Sequence, residues 1–401
     1  MPCFRARHYS TGEPLEITIQ GGRIGSVNSL RTELSELESI ALPLVSPSFF
    51  DLQVNGYGGQ WFSDLSLTTG HIGQIASQLA RFGIGQFLPA VVTNTTCAMH
   101  HSVRTISRAI EEMPWLGQQV AGIHLEGPWI SSRDGARGAH PLHAIRSPDL
   151  DEFDSLQAAS NGMIKLVTVA PELPGMNRFI RELVSRGIVV AMGHTAANAD
   201  EIEAASDAGV TLATHLGNGL ESRIHRHHNP LWPQLADDRL SCSLIVDGQH
   251  LPAAFVKTVI RAKTLDRVLL TCDISGWAGL PSGAYVSDWG GCDVLDSGKL
   301  VVSGQPEFLA GSHLGLGDCI ATATVLGEIP LARAVDLATL QPRKLLHLTI
   351  PELSAGGLAD LTIFQEPRML SQKSHAELPI LATMSQGQMV YQAEGFQLGS
   401  A

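Results

Sequence analysis

The sequence predicts an α/β fold: a (β/α)8 barrel, often called a TIM barrel, over residues 48–349, with a small β-sandwich built from residues 1–47 and 350–401 together. Three observations predict it. Eight short apolar runs recur through the middle of the chain, at 49–54, 87–92, 120–125, 166–170, 188–192, 211–214, 243–246 and 268–272. Runs of this length, bounded by glycine or charge, suit strands buried on both faces of a parallel sheet. Helical patterns separate most of them, and eight β–α units in about 300 residues match the usual size of a closed barrel. The two chain ends carry alternating segments joined by turn residues instead.

Taken in order, EITIQ at 16–20 and RIGSV at 23–27 alternate polar and apolar residues, and the paired glycines between them, Gly21 and Gly22, make a hairpin turn. Over 70–82, Ile72, Ile75, Ala76, Leu79 and Ala80 fall on one helical stripe. Residues 176–185, 199–208 and 253–263 read as helices too. Near the far end, DLTIF at 360–364 and QMVY at 388–391 return to strand character. An open doubly wound sheet is the structural alternative. It is disfavoured because no GxGxxG follows the first strand, and no repeat of 20–50 residues suggests a solenoid.

Composition narrows the function classes. With 44% hydrophobic and 16% charged residues, the 401-residue chain has enough apolar material for a large core. Its 27 Lys+Arg against 39 Asp+Glu give a net charge of −12, and only 223–230 is locally basic, which argues against nucleic acid as a partner. No run of about 18 apolar residues predicts a membrane span. The start of the chain has no apolar signal core, so a cytoplasmic protein is expected. The six cysteines, Cys3, Cys97, Cys242, Cys272, Cys292 and Cys319, form no CxxC pair and read as reduced thiols.

Four apolar runs end abruptly in an ionisable residue: GIHLE at 122–126, IVVAMGH at 188–194, VTLATH at 210–215 and VLLTCD at 268–273. The carboxyl ends of barrel strands are where such folds build active sites. Glu126, His194 and His215 are therefore candidate ligands for one divalent cation, with an open position for water. Zinc is expected, and iron, manganese or cobalt suit the same donors. Asp273 would take a proton from that water and pass it to a leaving group. His124 shares a strand face with Glu126, either as its partner or as a packed ring. Along the first strand Asp51, Gln53 and Asn55 alternate inward. Gln53 and Asn55 are weak neutral ligands, so they read as supports of the site or as remnants of a second metal site, and a single ion is favoured over a pair. His140, Asn218 and His250 lie in loops after strand ends and are candidate substrate readers. Arg226 can hold a phosphate through its planar guanidinium, or the 223–230 stretch serves as a subunit contact.

These residues sit in a set of motifs: PSFFDLQVNG at 47–56, HLEGPW at 124–129, GHTA at 193–196, ATHLGN at 213–218, VDGQH at 246–250, LAGS at 309–312, ATLQP at 338–342 and LADLTIF at 358–364. In kind and order the chain resembles the N-acetylglucosamine-6-phosphate deacetylase family of the amidohydrolase superfamily. The resemblance implies a barrel with a small β domain from both termini, Glu126, His194 and His215 as metal ligands, and Asp273 as the catalytic acid/base. It places His140, Asn218, Gly219, Arg226, His250 and the loop Leu309, Ala310 and Gly311 around a sugar phosphate. It implies removal of the acetyl group from N-acetylglucosamine 6-phosphate, and a homodimer in which the arginine reaches the neighbouring subunit. The chain departs from the pattern after Asp273, where Ile274, Ser275, Gly276 and Trp277 replace small residues, and after His215, where Gly219 and Leu220 follow Asn218. The loop before His140 is longer, and Arg226 has histidine neighbours. These changes touch substrate fit, leaving open another N-acyl amine, an unphosphorylated N-acetyl sugar, or a silent binding barrel. A carbamylated lysine site is disfavoured, since Lys165 begins its strand rather than ending it.

Overall fold

The computed structural model describes residues 3–287, 290–370 and 375–398. Eight parallel strands form the central sheet, each hydrogen-bonded to its neighbour in sequence order. From first to eighth they are Phe49–Val54, Ile84–Val92, Ile123–Glu126, Ile164–Val169, Val189–Met192, Leu212–Ala213, Ser241–Leu244 and Val268–Leu270. All eight expected strands are present. The sheet closes where Val54 bridges Ile274 in parallel and Asn55 N donates to Ile274 O at 3.0 Å. The Asp51 carboxylate also crosses this seam, accepting from the Thr271 hydroxyl and, at 3.0 Å, from Cys272 N.

Helices follow the strands, as right-handed β–α connections require. The four expected ones appear as Thr69–Leu79, Met176–Ser185, Ala199–Ala208 and Ala253–Lys263. Others fill the remaining units, including Thr96–Glu112 and Leu331–Leu345. Ile123 and Leu125 point outward into a cluster with helix residues such as Ile106 and Phe179, while His124 and Glu126 point inward. The barrel interior is plugged lower down by Phe50, Leu52, Leu88, Leu166, Ala191 and Leu269. This two-sided burial is why the strands read as unbroken apolar runs rather than alternating ones.

The termini combine into one seven-stranded sheet. Its N-terminal strands are Cys3–His8, Pro14–Gln20, Arg23–Ser29 and Leu44–Pro47, and its C-terminal strands are Leu361–Phe364, Ile380–Ser385 and Gln388–Gln392. Leu361–Phe364 pairs antiparallel with Leu44–Pro47, so the two ends are knit together at mid-sheet. The sheet packs against the barrel through Thr362 and Thr383, whose hydroxyls donate to Gly83 O and Ala80 O at 2.8 Å. An element not anticipated from sequence lies between the eighth strand and its helix: a four-stranded antiparallel sheet of Gly283–Ser287, Gly290–Val294, Leu300–Val302 and Gln305–Leu309.

Candidate active site

Glu126 is the last residue of the third strand, His194 and His215 lie two residues past the fifth and sixth, and Asp273 lies three past the eighth. Each is almost fully buried or inward-facing at the same barrel mouth. His194, His215 and Asp273 hold left-handed backbones, with φ of 49°, 32° and 51°. Non-glycine residues avoid this region, and such outliers gather at functional sites. Here the turn lets each apolar strand stop and aim one polar side chain back over the barrel axis.

Glu126 Oε1 lies 3.1 Å from His194 Nε2 and 2.9 Å from His215 Nε2. The two Nε2 atoms are themselves 3.1 Å apart. His194 Nδ1 donates to Ala136 O at 3.0 Å, which leaves Nε2 to present its lone pair. Gly219 makes room for this ring, since a Cβ there would sit 2.8 Å from His194 Nδ1. Two ring nitrogens and a carboxylate oxygen so close together satisfy each other poorly by hydrogen bonds alone. Ligands about 2.0 Å from a tetrahedral ion stand roughly 3.3 Å apart, close to this spacing. The donor set thus fits one borderline divalent cation. Glu126, His140 and His194 also offer atoms within 4.8 Å of one another. The set with His215 is the tighter one, and His140 stands beside it, its ring centroid 4.3 Å from that of His194.

The electrostatics agree. Burial alone would raise the Glu126 carboxyl, but His194 and His215 hold it well below the usual carboxylate range. Burial, and then the Glu126 carboxylate, raise Asp273 to about 7; a cation on Glu126 acts in the opposite direction. Burial, reinforced by His194, pushes His140 down to about 3, so its ring is neutral. His140 Nδ1, His215 Nδ1 and Asn55 Oδ1 are buried without a protein partner.

Gln53 and Asn55 act on the carboxylates. Gln53 Nε2 donates to both Glu126 Oε1 and Asp273 Oδ1 at 2.9 Å, and Asn55 Nδ2 donates to Asp273 Oδ1 at 2.7 Å. A register shift between Asp51 and Val54 brings these side chains to the rim. With their amide nitrogens turned to the anions, they support the site. His124 bonds below it: Nδ1 donates to Leu52 O at 3.2 Å, and Nε2 accepts from Thr168, which accepts from Thr214, each at 2.8 Å.

Above the cluster opens a cavity of about 800 Å³. Of the expected substrate readers, His140, Asn218, Gly219, His250, Leu309, Ala310 and Gly311 all line it. Arg226 does not: within one chain its loop is exposed, and its carbonyl accepts from Trp232 Nε1 at 2.9 Å. Sequence reasoning missed Trp61 and Lys299, which also line the cavity, as does Trp277, noted there only as a departure after Asp273. It missed Asp247, whose buried carboxylate accepts from His250 Nδ1 at 2.8 Å and from the Ser312 hydroxyl at 3.0 Å. The position of Asp247 at the end of an apolar run, three residues before His250, is the signal by which it was findable.

Fold and site together define a hydrolytic barrel whose strand ends carry a donor set fit for a cation. The amidohydrolase family model matches residues 44–392, and the chain belongs to that family. Within it, similarity runs to the amino-sugar 6-phosphate deacetylases. The N-acetylgalactosamine-6-phosphate deacetylase of Escherichia coli O157:H7 is 30% identical over 82% of this chain and 85% of its own. The N-acetylglucosamine-6-phosphate deacetylase of Bacillus subtilis strain 168 is 31% identical over 75% of this chain and 76% of its own. Among solved structures, a mutant N-acetyl-D-glucosamine-6-phosphate deacetylase of Mycobacterium smegmatis, in complex with N-acetyl-D-glucosamine-6-phosphate, superposes with a TM-score of 0.83 at 27% identity, covering 97% of this chain and all of the other.

Proposed function

We propose that this protein is a metal-dependent hydrolase that removes the acetyl group from N-acetylglucosamine 6-phosphate, giving glucosamine 6-phosphate and acetate. The observation that carries the reading is the convergence of Glu126, His194 and His215 within 3.1 Å, with Asp273 tied to the same group through Gln53. Glu126, His194 and His215 would hold one divalent cation per subunit, zinc in this reading, with iron, manganese or cobalt as substitutes, and when bound it would supply Lewis-acid polarisation of the amide carbonyl and acidify water. Asp273 takes the proton of the attacking water and returns it to the departing nitrogen, a transfer that needs a carboxylate fixed within hydrogen-bond reach. Gln53 and Asn55 occupy its Oδ1, so Oδ2 remains for water. His140, neutral and with Nδ1 unpartnered, stabilises charge developing on the carbonyl oxygen.

The sugar phosphate lies across Asn218, Gly219, His250 and the loop Leu309, Ala310 and Gly311, which share the cavity with the cation ligands. Arg226 reaches the phosphate of a neighbouring subunit in a homodimer. The exposed Ile224 and Trp232 beside it, 39% and 50% accessible, support a subunit contact there. Residues 48–349 form the catalytic unit, and 1–47 with 350–401 the supporting β domain. Among the described residues no helix is long and apolar enough to cross a membrane; we place the enzyme in the cytoplasm.

A second reading concerns the sugar. The N-acetylgalactosamine 6-phosphate relative makes the C4 epimer an equal candidate on similarity alone. Acetate release measured on both N-acetyl sugar phosphates and on free N-acetylglucosamine tests the proposal. Release from N-acetylglucosamine 6-phosphate with the highest kcat/KM upholds it, a tenfold preference for the epimer reassigns the sugar, and no release from any of the three overturns it.

A further inference from the structure

We infer that Trp61 and Trp277 form the wall of the acyl subsite and confine this enzyme to acetyl among N-acyl groups; the inference rests on the deacetylase reading above. The cavity is lined by two chemically different kinds of group. His250, Asn218 and Lys299 bring polar groups from the loops after the sixth and seventh strands and from the inserted sheet. Trp61 and Trp277 bring indole rings from the segments flanking the barrel seam. Both are only 7% exposed, yet both line the cavity, so the face each presents there is a small, fixed one.

The pair is rigid. The ring centroids stand 4.6 Å apart at 78°, an edge-to-face contact. The Trp61 ring lies directly on the peptide of Gly276: a Cβ at that position would come within 2.3 Å of the ring. The hairpin that carries Trp61 is pinned to the loop that carries Trp277 by Gly58 N donating to Ala278 O at 2.8 Å and Gly59 N donating to Gly276 O at 2.7 Å. Neither ring can swing aside without breaking these contacts.

The pair also sits beside the reacting group. Trp277 is four residues after Asp273. Asn55, whose side chain grips Asp273 Oδ1 at 2.7 Å, accepts through its backbone carbonyl from Phe62 N, the residue after Trp61, at 2.9 Å. An amide carbon held at Asp273 has two arms. The arm bearing the polyhydroxylated ring and its phosphate belongs with the polar groups. The apolar methyl arm then faces the indoles. A wall that cannot retreat rejects each added methylene, and one such group changes kcat/KM by about 10- to 200-fold in a closed apolar pocket.

The test compares N-acetyl-, N-propionyl- and N-butyrylglucosamine 6-phosphate with the full-length zinc-loaded protein and its Trp277→Leu, Trp277→Phe and Trp61→Phe variants. The wild type is expected to favour acetyl over propionyl by at least about tenfold. Trp277→Leu is expected to raise the propionyl-to-acetyl ratio of kcat/KM by a similar factor, and the phenylalanine variants by a few fold, with bound zinc unchanged. The phenylalanine variants keep an aromatic ring in place, so they read the ratio even where the leucine variant does not fold. A wild type that deacetylates, beside folded variants whose ratio does not move, overturns the indole wall alone. A wild type that releases no acid from any of the three overturns the deacetylase reading and the wall together.

Discussion

The two ends of the barrel solve the burial of charge in opposite ways. At the closed end, Arg343 is 2% exposed, and among the described residues its guanidinium has no carboxylate in hydrogen-bond contact. Its Nη1 donates to Thr339 O at 2.8 Å, its Nη2 to Ser48 O at 3.2 Å and to Gln86 Oε1 at 2.9 Å, and the group stands 5.2 Å from the Phe50 ring centre. Burial lowers it, the Asp360 carboxylate opposes the shift, and it is held at about 10, so it stays charged. At the open end, two carboxylates and two imidazoles crowd together, with His194, His215 and Asp273 on left-handed backbones and with buried atoms left unpartnered. The Arg343 guanidinium is held by acceptors within the chain. The open end is completed by what binds there, and the strain it carries is the cost of aiming those groups at a ligand.

This contrast can be broken or sharpened by measurement. The largest effect is expected at the open end: Asp273→Asn should lower kcat by about 10³-fold or more while bound metal stays at the wild-type level, since it removes proton transfer and leaves the donor set whole. Turnover within tenfold of wild type would remove Asp273 from its role. Next comes the cation. Stripping it with a chelator should abolish turnover and lower the thermal midpoint, because an ion at a thousandfold its Kd adds about 4 kcal/mol; calorimetry with and without added zinc checks this. Equal midpoints would mean that the cluster is complete without an ion.

The closed end should answer in the opposite sense. Arg343→Ala is expected to cost about 2–4 kcal/mol of stability, through an empty space and stranded acceptors, with kcat near wild type. A collapse of kcat in the folded variant would show that the two ends are coupled. Smaller still, Asp247→Asn should raise KM about tenfold for the phosphorylated sugar and leave kcat nearly unchanged, because it frees the His250 ring that the 2.8 Å bond now orients. Equal KM values would show that the ring needs no such hold.

The smallest effect concerns the surface of the rim. Arg146 pairs with Glu152 at 2.6 Å and also donates to Asn94 O at 2.9 Å and Ala144 O at 2.6 Å. Burial would raise Glu152, but the Arg146 bonds lower it on balance. A carboxyl depressed in the folded state stabilises above its unfolded pKa and loses that contribution as pH falls through the folded value. Glu152→Gln should therefore cost under about 1 kcal/mol near neutral pH, and the cost should vanish in acid below the ordinary glutamate range. A cost that persists in acid would point to packing instead of charge.

Much of this was legible in the sequence, for definable reasons. The barrel strands are buried on both faces, so each wrote itself as an apolar run. Glu126, His194, His215 and Asp273 stood out because a charge ends each run. His124 stayed ambiguous: one strand face holds both ligands and packed rings, and only its bonds to Leu52 O and Thr168 place it in the second class. The inserted sheet was not read, since Gly283–Ser287 and Gly290–Val294 are largely exposed and carry little apolar alternation. Trp277 stood out only as a departure after Asp273, and nothing in the sequence ties it to Trp61, 216 positions away. Arg343 gave no sign of burial within an amphipathic helix.

By itself, then, the sequence determined which segments become buried strands and which polar groups end them, because burial and local turns depend on neighbours a few residues away. Only the tertiary structure decided which of those groups stand close enough to share a cation, which amides grip Asp273, and which indoles meet across the seam. Those outcomes depend on closing one ring of eight strands, and distances across a ring are fixed by its geometry, not by spacing along the chain.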